Sequence, residues 1–187
     1  MNKLKEINTF SNYLSLTRLL LAIPFWIMLD NFIPLRYYLF VLAVFGALTD
    51  FLDGHFARKL NQVTELGKII DPLADKICIG IIITKLFLIG QIPSFYFYMI
   101  IGRDLLIFIG GIYITKKIGK VLPSNMLGKV TVFVIGIVIL FIILGIDKGI
   151  LPYLILFYTS LVLIVGSFLG YLFRALEFLK GNKYESV

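Results

Sequence analysis

Residues 49–76 read TDFLDGHFARKLNQVTELGKIIDPLADK and place charge in an otherwise apolar sequence. The stretch contains four aspartates, Asp50, Asp53, Asp71 and Asp75, although 59% of the 187 residues are hydrophobic. The first two aspartates are three residues apart and the last two are four apart. Residues at these spacings lie on the same face of a helix. The stretch therefore predicts two helices, each with a pair of carboxylates, joined by a polar connection.

The composition of the whole chain is that of an all-α integral membrane protein. Its mean hydropathy is +0.96 and 15% of its residues are aromatic, which is outside the range of soluble globular domains. A bilayer-spanning helix needs roughly 20 mostly apolar residues. Six windows meet this requirement: 13–33, 36–57, 68–89, 93–115, 126–146 and 151–174. Because the connections are short, residues 1–187 are predicted to form a single membrane-embedded domain.

Residues 1–12 are predicted to form a short interfacial helix before the first transmembrane helix. Lys3 and Lys5 would lie among the lipid headgroups, while Leu4, Ile7 and Phe10 would face the apolar layer. A cleavable signal peptide is not expected, because the first apolar run is long and no small-residue cleavage site follows it.

The formal net charge of +7 follows the predicted topology. With both termini in the cytoplasm, the inner ends of the six helices collect most of the lysines and arginines. The outer ends hold mainly Arg36, Lys85 and Lys148. This is the asymmetry of the positive-inside rule. We therefore expect an integral protein of the cell membrane, with anionic lipid headgroups rather than nucleic acid as partners of the basic residues.

All four aspartates are predicted to lie at a similar depth, just inside the cytoplasmic face. The second transmembrane helix runs inward and ends near Arg58, and the third begins near Gly67 and runs outward. At about 1.5 Å per residue, the carboxylates lie roughly 6 to 12 Å above the turn. A helical hairpin can thus direct them to one spot.

Four carboxylates at one spot repel one another unless protons or cations neutralise them. Charge at membrane depth already costs a few kcal/mol per group. Carboxylate oxygens suit hard divalent ions such as Mg²⁺, Mn²⁺ or Ca²⁺, and no histidine or cysteine cluster indicates zinc. Two such ions would serve a displacement at phosphorus. The alternative is that the aspartates only pair with nearby basic residues, namely Arg58, Lys59, Lys68 and Lys76.

The spacing resembles the complete signature of the CDP-alcohol phosphotransferases. It reads Asp50-x2-Asp53-Gly54-x2-Ala57-Arg58-x8-Gly67-x3-Asp71-x3-Asp75, with every fixed position occupied. The layout of six transmembrane helices also fits this family. The resemblance implies an enzyme that transfers a phosphatidyl or similar group from a CDP-linked lipid, such as CDP-diacylglycerol, to an alcohol and releases CMP.

The same resemblance implies a role for each signature residue. Asp50, Asp53 and Asp71, with Asp75 close by, would hold two divalent cations, Mg²⁺ or Mn²⁺. Asp75 would also take the proton from the acceptor hydroxyl, which then attacks the β-phosphorus of the lipid donor. Small residues would let the nucleotide approach the backbone, and a guanidinium suits phosphate oxygens. The implied CDP-lipid-binding residues are Gly54, Ala57, Arg58 and Gly67.

Three segments bear on the acceptor alcohol. Asn12-x-Leu-Ser-x-x-Arg18 resembles the first helix of phosphatidylglycerophosphate synthases. Asp71-Pro-Leu-Ala-Asp75-Lys76 resembles both those synthases and the eukaryotic-type cardiolipin synthases. The segment from Gly128-Lys129 to Thr131 resembles both branches as well. These likenesses favour a glycerol-containing acceptor over inositol, serine or choline.

Arg103 and Asp104 lie near the middle of the fourth predicted transmembrane helix, where an ionisable pair is a functional candidate by default. Arg103, with Lys129, would bind the phosphate of an anionic acceptor; the alternative is a pair that only holds the helices together. Glycerophosphate synthases usually carry a second arginine about two turns further along, where this chain has Ile109-Gly110-Gly111-Ile112. Glycerol 3-phosphate is slightly favoured, and transfer to phosphatidylglycerol, as in cardiolipin synthases, is the alternative.

A cation carrier is the competing class, because carboxylates within the membrane are typical of carriers too. The aspartates, however, lie at one membrane face, and the sequence shows no inverted repeat. Family likeness also predicts a homodimer.

Overall fold

The computed structural model describes the backbone of residues 10–59, 67–118 and 126–179. It describes the side chains of residue 17 and of residues 19–49, 76–117 and 126–179. These parts of the chain are helical and contain no β-strand, which confirms the predicted all-α class. Their elements are α1 (Phe10–Met28), a 3-10 segment (Leu29–Asn31), α2 (Phe32–Lys59), α3 (Gly67–Leu88), α4 (Ser94–Ile118), α5 (Met126–Ile143) and α6 (Leu151–Leu179).

Four stretches of the described helices are long and apolar enough to cross a membrane: Leu19–Thr49, Ser94–Lys117, Met126–Ile143 and Leu151–Leu179. The first runs from α1 through the 3-10 segment into α2. Helix α3 is not among these four stretches. Its described side chains cover only residues 76–88, fewer than the roughly 20 residues that a crossing requires. The four stretches indicate an integral membrane protein. The predicted interfacial helix falls largely in residues 1–9, outside the described residues.

Glycines in the left-handed conformation end helices α3 and α5. Gly90 has a φ of 73°, and its N–H donates to the carbonyl of Phe87, while the next N–H, of Gln91, donates to Leu86. These two bonds form a Schellman motif, which satisfies carbonyls that the helix end leaves open. Gly145, with a φ of 68°, follows α5, and the N–H of Ile146 donates to the carbonyl of Phe141 at 3.0 Å.

The first compact unit comprises Met1–Gln91 and Ile143–Gly145. In this unit α1 contacts both α2 and α3. Phe25 of α1, Leu39 of α2 and Leu86 of α3 are each at most 3% exposed. Helix α1 is therefore the shared packing partner of the two helices on which the signature aspartates lie.

A buried lysine joins α3 to the end of α1 within this unit. The ammonium nitrogen of Lys85 lies 2.5 Å from a carboxylate oxygen of Asp30 and 4.8 Å from the centre of the Trp26 ring. The Lys85 side chain is 9% exposed, so its charge requires these partners. Because the Asp30 side chain is 57% exposed, the ion pair itself contributes at most a modest stabilisation.

The second compact unit comprises Ile92–Ile142 and Ile146–Val187. Its helices α4 and α6 share two buried polar contacts. The Tyr96 hydroxyl lies 2.9 Å from that of Ser160, and Arg103 Nε donates to Ser167 Oγ at 3.2 Å. Both contacts join residues 64 positions apart. A constant difference means that α4 and α6 run parallel, and the step of seven residues is that of helices packed along one seam.

Two adjacent glycines continue this seam toward the end of α4. A Cβ at Gly111 would lie 3.0 Å from the Tyr171 hydroxyl, and one at Gly110 would lie 3.6 Å from the Tyr171 ring. Small residues allow such close approach between membrane helices. The glycine pair therefore makes room for the Tyr171 ring of α6.

Replacing Gly111 by leucine is expected to destabilise the protein, because the new side chain meets the Tyr171 hydroxyl. Overpacking of this kind costs about 1–3 kcal/mol. The thermal unfolding midpoint in detergent should fall by several degrees, at about 2–4 °C per kcal/mol. Gly102→Leu is the matched control on the same helix, since among the described residues no neighbouring atom lies within 4 Å of a Cβ there. Equal midpoints for the two variants would contradict the close contact.

Candidate active site

The signature residues lie on the two helices that flank residues 60–66. Asp50 and Asp53 belong to the C-terminal part of α2, and Asp71 and Asp75 to the N-terminal part of α3. On the axial rise of a helix, all four are roughly 6 to 14 Å from the ends that face residues 60–66. Their side chains lie outside the described residues, as do those of the predicted CDP-lipid-binding residues: Gly54, Ala57, Arg58 and Gly67.

The chemistry of these side chains fits divalent metal ions. Among the described side chains, no group of three or more His, Cys, Asp or Glu residues could hold a metal ion. The four signature aspartates supply only oxygen ligands, which Mg²⁺ and Mn²⁺ prefer. They also occur in pairs at helical spacing on elements that share α1 as a neighbour. Residues 50, 53, 71 and 75 are therefore the residues whose chemistry could hold such ions.

The second predicted site residue, Arg103, has a buried and firmly held guanidinium group. The residue is 9% exposed, in the middle of the apolar helix α4. Its Nε donates to Ser167 Oγ at 3.2 Å, and its Nη1 donates to a carboxylate oxygen of Asp104 at 2.5 Å. Its Nη2 lies 3.2 Å from the position that a Cβ of Gly128 would occupy.

The described partners of Arg103 use only part of its hydrogen-bonding capacity. Guanidinium carries five N–H donors in a planar fork. Within the described residues, Nη2 makes no hydrogen bond to a protein acceptor. An unsatisfied donor in an apolar layer costs free energy. The group is therefore suited to bind an anion, or an ordered water, at Nη2.

The structure brings Arg103 next to the first turn of α5, where Lys129 follows Gly128. Lys129 is exposed. Two residues further, the fully buried Thr131 hydroxyl donates to the carbonyl of Leu127 at 2.6 Å and lies 3.2 Å from that of Leu163 in α6. This contact fastens the beginning of α5 to α6. The predicted acceptor-binding pair thus lies on two helices that meet in one compact unit.

Sequence reasoning missed the contribution of α6 to this site. Ser167 contacts Arg103. The sequence feature that could have indicated this contact is the spacing of Ser160 and Ser167, which are seven residues apart in a mostly apolar helix. Glycerophosphate synthases usually carry a second arginine near the position of Gly110 and Gly111. In this chain the Tyr171 side chain of α6 packs against these two glycines.

Comparison with known proteins identifies the class. The sequence model of the CDP-alcohol phosphatidyltransferases matches residues 8–171, a range that includes the whole signature, Arg103 and Lys129. The chain therefore belongs to the CDP-alcohol phosphatidyltransferase family, and the predicted family and transferase class are confirmed.

Individual relatives cover most of the chain. One is the CDP-diacylglycerol--glycerol-3-phosphate 3-phosphatidyltransferase of Aquifex aeolicus, which is 37% identical over 175 residues, 89% of this chain and 95% of the relative. The enzyme of the same name from Rickettsia felis is 35% identical over 143 residues, 74% of this chain and 76% of the relative. The human cardiolipin synthase (CMP-forming) is 39% identical over 111 residues, 58% of this chain and 36% of the relative.

Proposed function

We propose that this protein transfers a phosphatidyl group from CDP-diacylglycerol to glycerol 3-phosphate and releases CMP, in phospholipid biosynthesis. Relatives that carry the corresponding name match along most of their length. Within the structure, the observation that best supports an anionic acceptor is the buried Arg103 guanidinium, whose Nη2 has no protein acceptor among the described residues.

The proposed topology has six transmembrane helices, α1 to α6, within one membrane-embedded domain of residues 1–187. Both termini would lie in the cytoplasm, so that Asp50, Asp53, Asp71 and Asp75 face that side of the cell membrane. The distribution of lysine and arginine supports this orientation. A homodimer is proposed on family likeness alone.

The four aspartates are proposed to hold two divalent cations, Mg²⁺ or Mn²⁺. Bound there, the cations would neutralise the diphosphate of the CDP-lipid and stabilise the departing CMP. Arg58 would pair with the diphosphate, because a guanidinium matches phosphate oxygens. Gly54, Ala57 and Gly67 would let the nucleotide approach the helix backbone.

Asp75 is proposed as the general base, and Arg103 and Lys129 as the groups that hold the acceptor. The Asp75 carboxylate would take the proton of the acceptor hydroxyl. The freed oxygen would form a bond to the β-phosphorus of CDP-diacylglycerol, and the bond from that phosphorus to the bridging oxygen would break. CMP would leave with the bond's electron pair. The phosphate of glycerol 3-phosphate would bind the Arg103 and Lys129 side chains.

Transfer to phosphatidylglycerol is the second candidate, and two observations favour it. Where glycerophosphate synthases usually carry a second arginine, Gly110 and Gly111 contact the Tyr171 ring. The human and rat cardiolipin synthases also match, each at 39% identity over 111 residues. A cation carrier has no comparable support, since the chain belongs to a family of phosphatidyltransferases.

The first test is CMP release by the purified protein in detergent, with CDP-diacylglycerol and Mg²⁺ or Mn²⁺. The acceptor panel is glycerol 3-phosphate, phosphatidylglycerol, inositol 1-phosphate and serine. Release that depends on glycerol 3-phosphate is expected, and EDTA should stop it until Mg²⁺ is restored. Release that depends on phosphatidylglycerol would identify phosphatidylglycerol as the acceptor instead. No release with any acceptor would refute the transferase proposal. Activity that persists in EDTA would show that the reaction does not need divalent metal ions.

Asp75→Asn is expected to abolish transfer, because an amide cannot take the acceptor proton. CMP binding, measured by calorimetry, should remain largely intact. Asp147→Asn is the control, because Asp147 is exposed in the turn before α6 and its carboxylate oxygen only accepts a hydrogen bond from the Gly149 N–H. Full activity of the Asp75 variant would show that this residue is not the base.

Arg103→Ala is expected to raise the KM for glycerol 3-phosphate by about 10²-fold, the loss of a charge-assisted phosphate contact. The KM for CDP-diacylglycerol should change far less. Arg36→Ala removes the same charge from the beginning of α2, where Arg36 contacts the Tyr37 ring, and serves as the control. An unchanged acceptor KM would leave Arg103 with a purely structural role.

A further inference from the structure

We infer that two residues outside the signature, Ser167 and Gly128, shape the site at which the acceptor anion binds. Ser167 acts as a positioning residue that sets the direction of the Arg103 guanidinium. Gly128 leaves the space in which an anionic oxygen reaches Arg103 Nη2. This inference rests on the proposed function, since it concerns the acceptor of that reaction.

Ser167 is held rigidly enough to orient its neighbour. It is 1% exposed, and its hydroxyl donates to the carbonyl of Ile164 at 3.1 Å. Since the single hydroxyl proton is used there, the oxygen lone pairs remain to accept the N–H of Arg103 Nε at 3.2 Å. The guanidinium is planar. Fixing Nε through Ser167 and Nη1 through Asp104 therefore also fixes the direction of Nη2.

Gly128 lies beside Nη2. A Cβ at this position would be 3.2 Å from Nη2, which is closer than ordinary van der Waals contact. An anionic oxygen bonded to Nη2 must approach to about 2.7–2.9 Å. A methyl group would compete with that oxygen or displace the guanidinium. Gly128 is also in the first turn of α5, the helix end with positive partial charge, which favours an anion.

Thr131 helps to fix the position of Gly128 on α5 relative to Ser167 on α6. Its hydroxyl reaches the carbonyl of Leu163, which is one turn before Ser167 on α6. Each of three helices therefore contributes one feature. Helix α4 supplies the guanidinium of Arg103, α5 supplies the space left by the missing side chain of Gly128, and α6 supplies the hydroxyl of Ser167. All three groups belong to the second compact unit.

The chain offers a matched control for a merely structural effect. Ser160 is also on α6, is fully buried, and shares a hydrogen bond with Tyr96 of α4 at 2.9 Å. Ser160→Ala and Ser167→Ala thus each remove one buried hydrogen bond between the same two helices. Only Ser167→Ala removes a contact to Arg103.

The experiment measures kcat and both KM values in detergent for the wild type, Ser167→Ala, Ser167→Thr, Gly128→Ala and Ser160→Ala. The acceptor is the one that the wild type uses in the panel above. Ser167→Ala and Gly128→Ala should each raise the acceptor KM by about 10-fold, the value of one hydrogen bond to a charged group. The KM for CDP-diacylglycerol should stay within about twofold. Ser167→Thr keeps the hydroxyl and should restore most of the acceptor affinity.

Two results would overturn the inference while leaving the proposed function in place. One is an active wild type whose acceptor KM is unchanged in both Ser167→Ala and Gly128→Ala. The other is a rise in Ser160→Ala as large as in Ser167→Ala, which would assign the effect to general loosening of α4 against α6. A wild type that releases no CMP in response to any acceptor would instead refute the proposed function.

Discussion

A polar group inside a lipid layer must find its partners within the protein, and this constraint organises the part of the molecule that the structure describes. Arg103 is the clearest case. Its guanidinium lies in the apolar helix α4, and it is stabilised by Asp104 on the same helix and by Ser167 on α6. These two residues accept hydrogen bonds from Nε and Nη1 and leave the N–H groups of Nη2 without a partner among them. The donors that these two residues do not use are the ones proposed to bind the acceptor anion.

The arrangement of α4 and α6 follows from this requirement. Contacts at Tyr96–Ser160 and Arg103–Ser167 repeat after seven residues on both helices, and Gly110 and Gly111 accept the Tyr171 ring further along. Apolar packing alone gives little preference for one register in a membrane, where lipid tails are as apolar as leucine. Buried hydroxyl and guanidinium groups specify the register instead. Arg103, proposed to bind the acceptor, is thus also part of what aligns the two helices.

The two halves of the proposed chemistry belong to different compact units. The signature aspartates are on α2 and α3 of the first unit, and the buried arginine is on α4 of the second. Charge has a different function in each. The four aspartates of the first would, as proposed, need cations to neutralise them, whereas in the second the buried Arg103 guanidinium is partly compensated by Asp104.

The all-α class, the helices, the family and the residues that could bind metal follow from the amino-acid sequence alone. These features depend on local quantities: runs of apolar residues of bilayer length, and carboxylates at fixed spacing within 26 residues, from position 50 to position 75. The packing of the helices was needed to show that Ser167 contacts Arg103, that Gly128 lies beside Nη2, and that Tyr171 occupies the space next to Gly110 and Gly111. Such contacts depend on the register and rotation of helices that are distant along the chain. Those are set by the packing of specific side chains, for which hydrophobic periodicity carries no information.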